Sequence, residues 1–356
     1  MRFGIYTEMQ CPPEKPHAQV YRETLGQIEH ADEMGFDIYS TIDHHFSQEF
    51  GISANPLALF CAAAQQARRI RFRTALHVLP SKNPMELAGQ IAAADIMTGG
   101  RLECGVGRGH AWLYHGLGIP IIEAKPRYEE ALEILLRAWT EERFSYQGQF
   151  WQIHNARVVP RPLQRPHPPI LVGWTSDSSS EFAGIHGYGL LLAPVFPFAA
   201  LARGVAIYRE ACAKHGHTPH LIYLRPIYLG NDPAQIRLEC ESYLLNFLAY
   251  DSKPIELICH SKEELEQAGY GFYATVTREI FTKLSYDELV EQEWAFVGTP
   301  AQVIDKIAEL QDKAGITEFD IVASYGNMPH GQVLKQQELF AQHVIPAFRG
   351  MDTVNG

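Results

Sequence analysis

Along the whole chain, short apolar runs alternate with longer segments in which apolar residues recur every three or four positions, the periods of buried strands and amphipathic helices. Strand-like runs occupy residues 3–6, 37–42, 71–75, 101–105, 170–173, 189–192, 221–229 and 319–323. Helical spacing fills the intervals, most clearly in residues 20–34, 84–98, 127–141 and 300–313. In 127–141 it brings Tyr128, Ala131, Leu132, Leu135 and Leu136 onto one face. Eight alternations predict an α/β chain folded as one (β/α)8 TIM barrel spanning residues 1–356, within the size range of that fold with insertions. Residues 150–169 are proline-rich and read as a short excursion. Residues 232–294 have weaker periodicity and are not needed to complete the eight units, so a lid-like insertion is expected there, with Tyr270, Phe272 and Tyr273 supplying apolar closure.

Charge narrows the partners. A formal net charge of −11 argues against nucleic acid or an anionic membrane surface and leaves small molecules as the default. The densest basic run, Arg68, Arg69, Arg71 and Arg73, reads as a solvated rim between a helix end and a strand start. The six cysteines show neither a Cys-x-x-Cys pair nor regular spacing, so a disulfide framework or zinc knuckle is not indicated. The most apolar later run, 190–201, is broken by Pro194 and Pro197, and residues 1–6 enter a strand without an apolar leader, so a cytoplasmic protein is expected.

The chemistry gathers where the fourth strand ends. Gly105, Gly107 and Gly109 are spaced one residue apart around Arg108, a pattern that predicts an anion seat: backbone amides unobstructed by Cβ atoms beside a guanidinium that matches a phosphate. A tight turn with a solvated arginine is the alternative reading. After the fifth strand, the hydroxyl-rich run 174–181 leads into a helix whose start can be capped by hydroxyls or hold an anion. A metal-hydrolase barrel using His44, His77 and His110 is a rival, weakened because no His-x-His pair appears. The glycine spacing also fails the Gly-x-Gly-x-x-Gly dinucleotide fingerprint.

On Asp43-His44-His45-Phe46, on residues 75–80 with Pro84 and Asp95, on Gly99-Gly100-Arg101-Leu102 leading into the glycine turn, on 176–183, and on Gly298-Thr299-Pro300 through 326–330 to Leu339-Phe340, the chain resembles the bacterial luciferase-like flavin monooxygenases. The resemblance implies an enzyme, usually a homodimer, that takes reduced FMN from a separate flavin reductase and reacts it with oxygen to oxygenate a small organic substrate. It implies Arg108 as the phosphate arginine with Ser176 and Ser179 as hydroxyl partners. Ala75 and Leu76 are implied as backing for the isoalloxazine, joined by a non-prolyl cis peptide. Gly107 stands beside the flavin where the luciferase catalytic subunit has a cysteine, which sets luminescence chemistry apart from flavin binding. His44 is implied as the active-site histidine, a residue suited to managing a proton near neutral pH, with His45 holding structure. A deazaflavin-dependent oxidoreductase of the same superfamily and a non-catalytic flavin-binding protein are the alternatives.

Overall fold

The structure, a computed structural model, describes residues 1–350. Its strands, in chain order, are β1 (Arg2–Thr7), β2 (Ile38–Thr41), β3 (Arg71–Val78), β4 (Leu102–Gly107), β5 (Phe144–Gln147), β6 (Gln152–Ala156), β7 (Ile170–Gly173), β8 (Gly189–Leu191), β9 (Leu221–Leu229), β10 (Phe296–Gly298) and β11 (Glu318–Val322). Eight of them pair in parallel in the order β1-β2-β3-β4-β7-β8-β9-β11, and β11 returns to β1 to close the barrel. Each is bounded by an outer helix that turns its apolar stripe inward. Helix Ala124–Thr140 buries Tyr128, Ala131, Leu132 and Leu135. Helix Pro300–Ala314 starts at a Thr299–Gln302 capping box and buries Val303, Ile307 and Leu310.

Three features depart from the sequence expectation. An antiparallel hairpin, β5–β6, starts ahead of the expected excursion at Phe144 and takes up its first residues with β6. A short strand, β10, adds to the C-terminal half of β9, pairing Phe296 with Ile227, beyond the stretch where β9 pairs with β11. The third concerns the arginine run, which is not wholly a solvated rim: Arg73 is fully buried inside the barrel. A parallel strand covered on both faces carries its side chains alternately to the helices and to the interior, and position 73 faces the interior.

There Arg73 binds Glu103 on β4 at 2.8 Å and both Glu318, at 2.5 Å, and Asp320, at 2.9 Å, on β11. Arg2 and Arg71 close on Glu103 from its outer side at 2.8 and 3.0 Å. Burial, and then Glu318 beside it, pushes the Asp320 carboxyl well up, whereas Arg73, His220 and Arg2 hold Glu318 low against the opposing effect of burial.

Residues 232–294 form an insertion between β9 and helix Pro300–Ala314. Helix Pro233–Asp251 buries Leu244, Phe247 and Leu248, and one short 3-10 helix and four short α-helices follow before β10. Within it, Leu265, Ala268, Tyr270 and Ala274 pack on Ala111, Tyr114, Ile121 and Ala124, the residues that follow β4. The segment therefore lies against the C-terminal end of the barrel.

Removing Arg73 strands its carboxylates in a site that cannot hydrate them. Arg73→Leu is expected to lower unfolding stability by about 3–5 kcal/mol. Urea denaturation followed by far-ultraviolet circular dichroism checks this, and a loss below 1 kcal/mol would show that the cluster relaxes by taking up protons.

Candidate active site

At the C-terminal ends of the strands the barrel opens into a cavity of about 470 Å³. One wall is barrel: Ala75, Leu76 and Val78 of β3, and Leu191 and Leu192 at the end of β8. The other is insertion: Asp251, Tyr270, Phe272 and Tyr273. The barrel wall is shaped by one close approach. The Ala75–Leu76 peptide is cis, as the resemblance implies, and the β3–β4 register shifts between Thr74 and His77. Leu76 then lies across Gly107 and Gly173: a Cβ on either glycine would meet Leu76 Cδ2 at 2.6 or 2.3 Å. Gly107 is thus a glycine because of its neighbour strand. Extended β4 continues through it, so the turn expected over all three glycines is confined to Gly109, at φ +74°.

Arg108 projects just past β4 and is half-buried. Its guanidinium donates to the carbonyls of Ala268 at 3.0 Å and Gly269 at 3.2 Å and to Thr175 Oγ1 at 3.4 Å, and it lies 4.7 Å over the ring of Tyr270. Thr175 ties it to the hydroxyl turn. Ser176 caps helix Asp177–His186, accepting from the Ser179 amide at 3.4 Å, while Ser179 Oγ donates to the Ser176 carbonyl at 2.7 Å and accepts from the amides of Thr175 and Ser176. Ser178 Oγ lies 2.9 Å from Ser176 Oγ. The structure therefore brings Arg108, the serine turn and the Ala75–Leu76 wall to one end of the barrel. Thr175 was not singled out in the sequence, although its place beside Ser176 was signal enough.

The histidines sit differently from expectation. β2 ends at Thr41, and the chain turns outward so that the His44 amide bonds to the Ser53 carbonyl at 3.1 Å. His44 is 1% exposed and stands one layer behind the wall, 4.1 Å from the ring of Phe50, with its Nε2 accepting from the Trp112 indole at 2.8 Å. Burial, then neighbouring His110 and His45, hold its pKa well below the usual range. The imidazole on the cavity wall is instead His110, stacked on Trp112 at 4.1 Å and 5°. His45 pairs with Asp43 at 3.1 Å; Asp43 also meets Lys82 at 2.9 Å and His77 at 3.5 Å, and these partners hold its carboxyl well down against the opposing effect of burial. Among the described residues, no group of three or more His, Cys, Asp or Glu side chains is placed to hold a metal ion.

Residues 1–318 match the family model for the luciferase-like monooxygenases. The chain belongs to that family. The oxygenase component of a flavin-dependent trigonelline monooxygenase from Acinetobacter baylyi is 25% identical over 98% of this chain and 96% of its own length. An FMNH2-dependent dimethylsulfone monooxygenase from Pseudomonas putida is 26% identical over 93% and 88%. The crystal structure of monooxygenase RslO1 from Streptomyces bottropensis, 28% identical, superposes with a TM-score of 0.80 over 98% of this chain and all of that one. This protein is a flavin-dependent oxidoreductase by family, and no helix among its described residues is long and apolar enough to cross a membrane.

One feature of this luciferase-like monooxygenase was missed in the sequence. Glu8, just past β1, and Asp251, the last residue of helix Pro233–Asp251, both line the cavity. Glu8 also accepts from Gln10 Nε2 at 3.1 Å and from Tyr6 at 3.5 Å. The signal for Glu8 was its place at a strand's C-terminal end; nothing local marks Asp251, which lies far along the chain. Burial, then Asp251, pushes Glu8 well up, and burial pushes Asp251 up to about 7.

Because the folded chain holds these protons more tightly than the unfolded chain does, the pair favours folding at low pH. That contribution fades as pH rises from the unfolded carboxyl values near 4 to about 7. Asp251→Asn is therefore expected to raise the melting temperature at pH 8 relative to wild type and to leave it nearly unchanged at pH 4.5. Calorimetry at both values checks the sign, and a variant less stable at pH 8 overturns it.

Proposed function

We propose that this chain is the oxygenase of a two-component system, using reduced FMN supplied by a separate flavin reductase and dioxygen to oxygenate a small organic molecule. The observation that carries the reading is the convergence of a guanidinium, a hydroxyl-capped helix start and a flat apolar wall at one barrel end. A planar ring system with a phosphate tail fits that set: Arg108, Thr175, Ser176 and Ser179 would hold the phosphate, and Ala75, Leu76 and Gly107 would back the ring. Reduced flavin supplies the electrons and the site of reaction with oxygen. Every other task falls to the chain: orienting the substrate, excluding water and placing protons. The oxygenase-component name of the Acinetobacter baylyi relative supports the reductase partnership.

His44, buried behind Trp112, is read as a positioning residue that fixes the indole and through it the cavity wall, in place of direct contact with reacting atoms. The insertion at 232–294 is read as a cover that closes on the bound cofactor, since its carbonyls at 268 and 269 are held by the same guanidinium that would meet the phosphate. A homodimer in the cytoplasm completes the proposal.

Arg108→Ala removes one charge-assisted contact, an effect of about 1.5–3 kcal/mol, or roughly 10- to 150-fold weaker binding. Anaerobic titration with reduced FMN, run beside a reduced deazaflavin, measures both affinities; unchanged FMN affinity in the variant would falsify the phosphate assignment, and tighter deazaflavin binding by wild type would replace the cofactor.

The same substitution frees the cover. Backbone amides of residues 265–275 are expected to exchange with deuterium faster in Arg108→Ala than in wild type, while those of β4 are unaffected. Equal exchange in the two proteins would mean that apolar packing on Tyr114 and Ile121 alone holds the segment.

A further inference from the structure

Two imidazoles stand 6.1 Å apart, His110 on the cavity wall and His44 behind it, and their hydrogen bonds use opposite ring nitrogens. An indole N–H only donates, so the Trp112 contact at 2.8 Å requires a lone pair on His44 Nε2 and puts the proton of the neutral ring on Nδ1. His110 uses the other nitrogen: its Nδ1 lies 2.8 Å from the Tyr273 hydroxyl. Among the described residues, the Tyr273 hydroxyl and the His110 ring make no hydrogen bond other than this one. A phenol O–H is a stronger donor than a neutral imidazole N–H, and a bare imidazole nitrogen a stronger acceptor than a phenol oxygen, so the Tyr273 hydroxyl donates to Nδ1. Nδ1 is then the acceptor and the ring proton sits on Nε2, the remaining polar edge that His110 offers to the cavity it lines.

We propose that His110 is the residue that donates a hydrogen bond from Nε2–H to an oxygen atom at the reacting centre, and that Tyr273, delivered by the insertion, sets the tautomer that makes this possible. This rests on the cavity being the reaction site, as read above. Burial pushes His110 down to about 4, so the ring stays neutral at working pH and donates without losing its proton. Stacking on Trp112 and the Tyr273 bond fix the ring plane, so the donor is in place before any ligand arrives. Tyr273 belongs to the same insertion as the carbonyls gripped by Arg108, so a displaced cover would release the tautomer.

The test needs no flavin. Nitrogen-15 spectra of the imidazoles in the full chain at pH 7 are expected to show His44 protonated on Nδ1 and His110 on Nε2, with Tyr273→Phe shifting His110 toward the Nδ1–H form while His44 stays unchanged. Cyclohexanone, used as a neutral oxygen acceptor, is expected to move the His110 Nε2–H resonance and to bind His110→Leu roughly 2- to 12-fold more weakly than wild type, the worth of one neutral hydrogen bond. Two results overturn the tautomer assignment: an Nδ1–H tautomer at His110 in wild type, or a Tyr273→Phe protein that keeps Nε2–H. Equal cyclohexanone affinity in wild type and a folded His110→Leu overturns the donor role. Failure of wild type to bind reduced FMN would instead count against the cofactor reading and leave these measurements standing.

Discussion

A guanidinium sealed inside the barrel holds together strands that are far apart in sequence. Arg73 joins β3 to Glu103 on β4 and to Glu318 and Asp320 on β11, across 247 residues in its longest bond. Such a cluster contributes little net stability against an apolar replacement of the same volume, but it tolerates no vacancy, because each removed partner leaves a charge without solvent. Its consequence is register. A one-residue slip of β3 would turn Arg73 toward the helices and expose three acids to an apolar interior, so the ring closes in one alignment. The register irregularity begins one residue above that anchor, at Thr74, and the cis peptide two residues above it, at Ala75.

Above the anchor the same strand changes character. Leu76 lies over Gly107 and Gly173 and gives the mouth a flat apolar side, while the opposite side is built from a segment that the barrel does not need. The division matters for chemistry. The barrel side carries the groups proposed for the cofactor, and the insertion carries Asp251, Tyr270 and Tyr273, each of which bonds or couples to a barrel group: Asp251 to Glu8, Tyr270 to Tyr114, Tyr273 to His110.

Much of this was readable from periodicity. The eight strands and the outer helices follow from apolar spacing, because each element buries one stripe or is covered on both faces, and a buried stripe is a local signal. Arg108 and the Ser176–Ser179 turn were legible for a similar reason, since a glycine-flanked arginine and a hydroxyl-rich helix start each have a local physical meaning. The β5–β6 hairpin escaped because prolines crowd the segment that follows it, and β10 because three residues carry no period. Arg73 was misread because an arginine's environment is decided by partners 30 and 245 residues away. His44 was placed by assuming that strand alternation continues past Thr41, where the chain has already turned. Asp251 lay in a segment whose weak periodicity gave no register at all.

One contiguous run, 232–294, contributes one side of the cavity and ends at β10 on the edge of β9, so it can be exchanged as a single piece of chain. Its ends are close together on the fold: helix Pro233–Asp251 leaves from β9, and β10 pairs with that same strand. Recombination between relatives at those two points would exchange the acid, the tyrosines and the cover in one event, while the buried arginine cluster, the flat wall and the serine turn would pass on untouched. A lineage built this way can change what it accepts without having to rediscover how to fold.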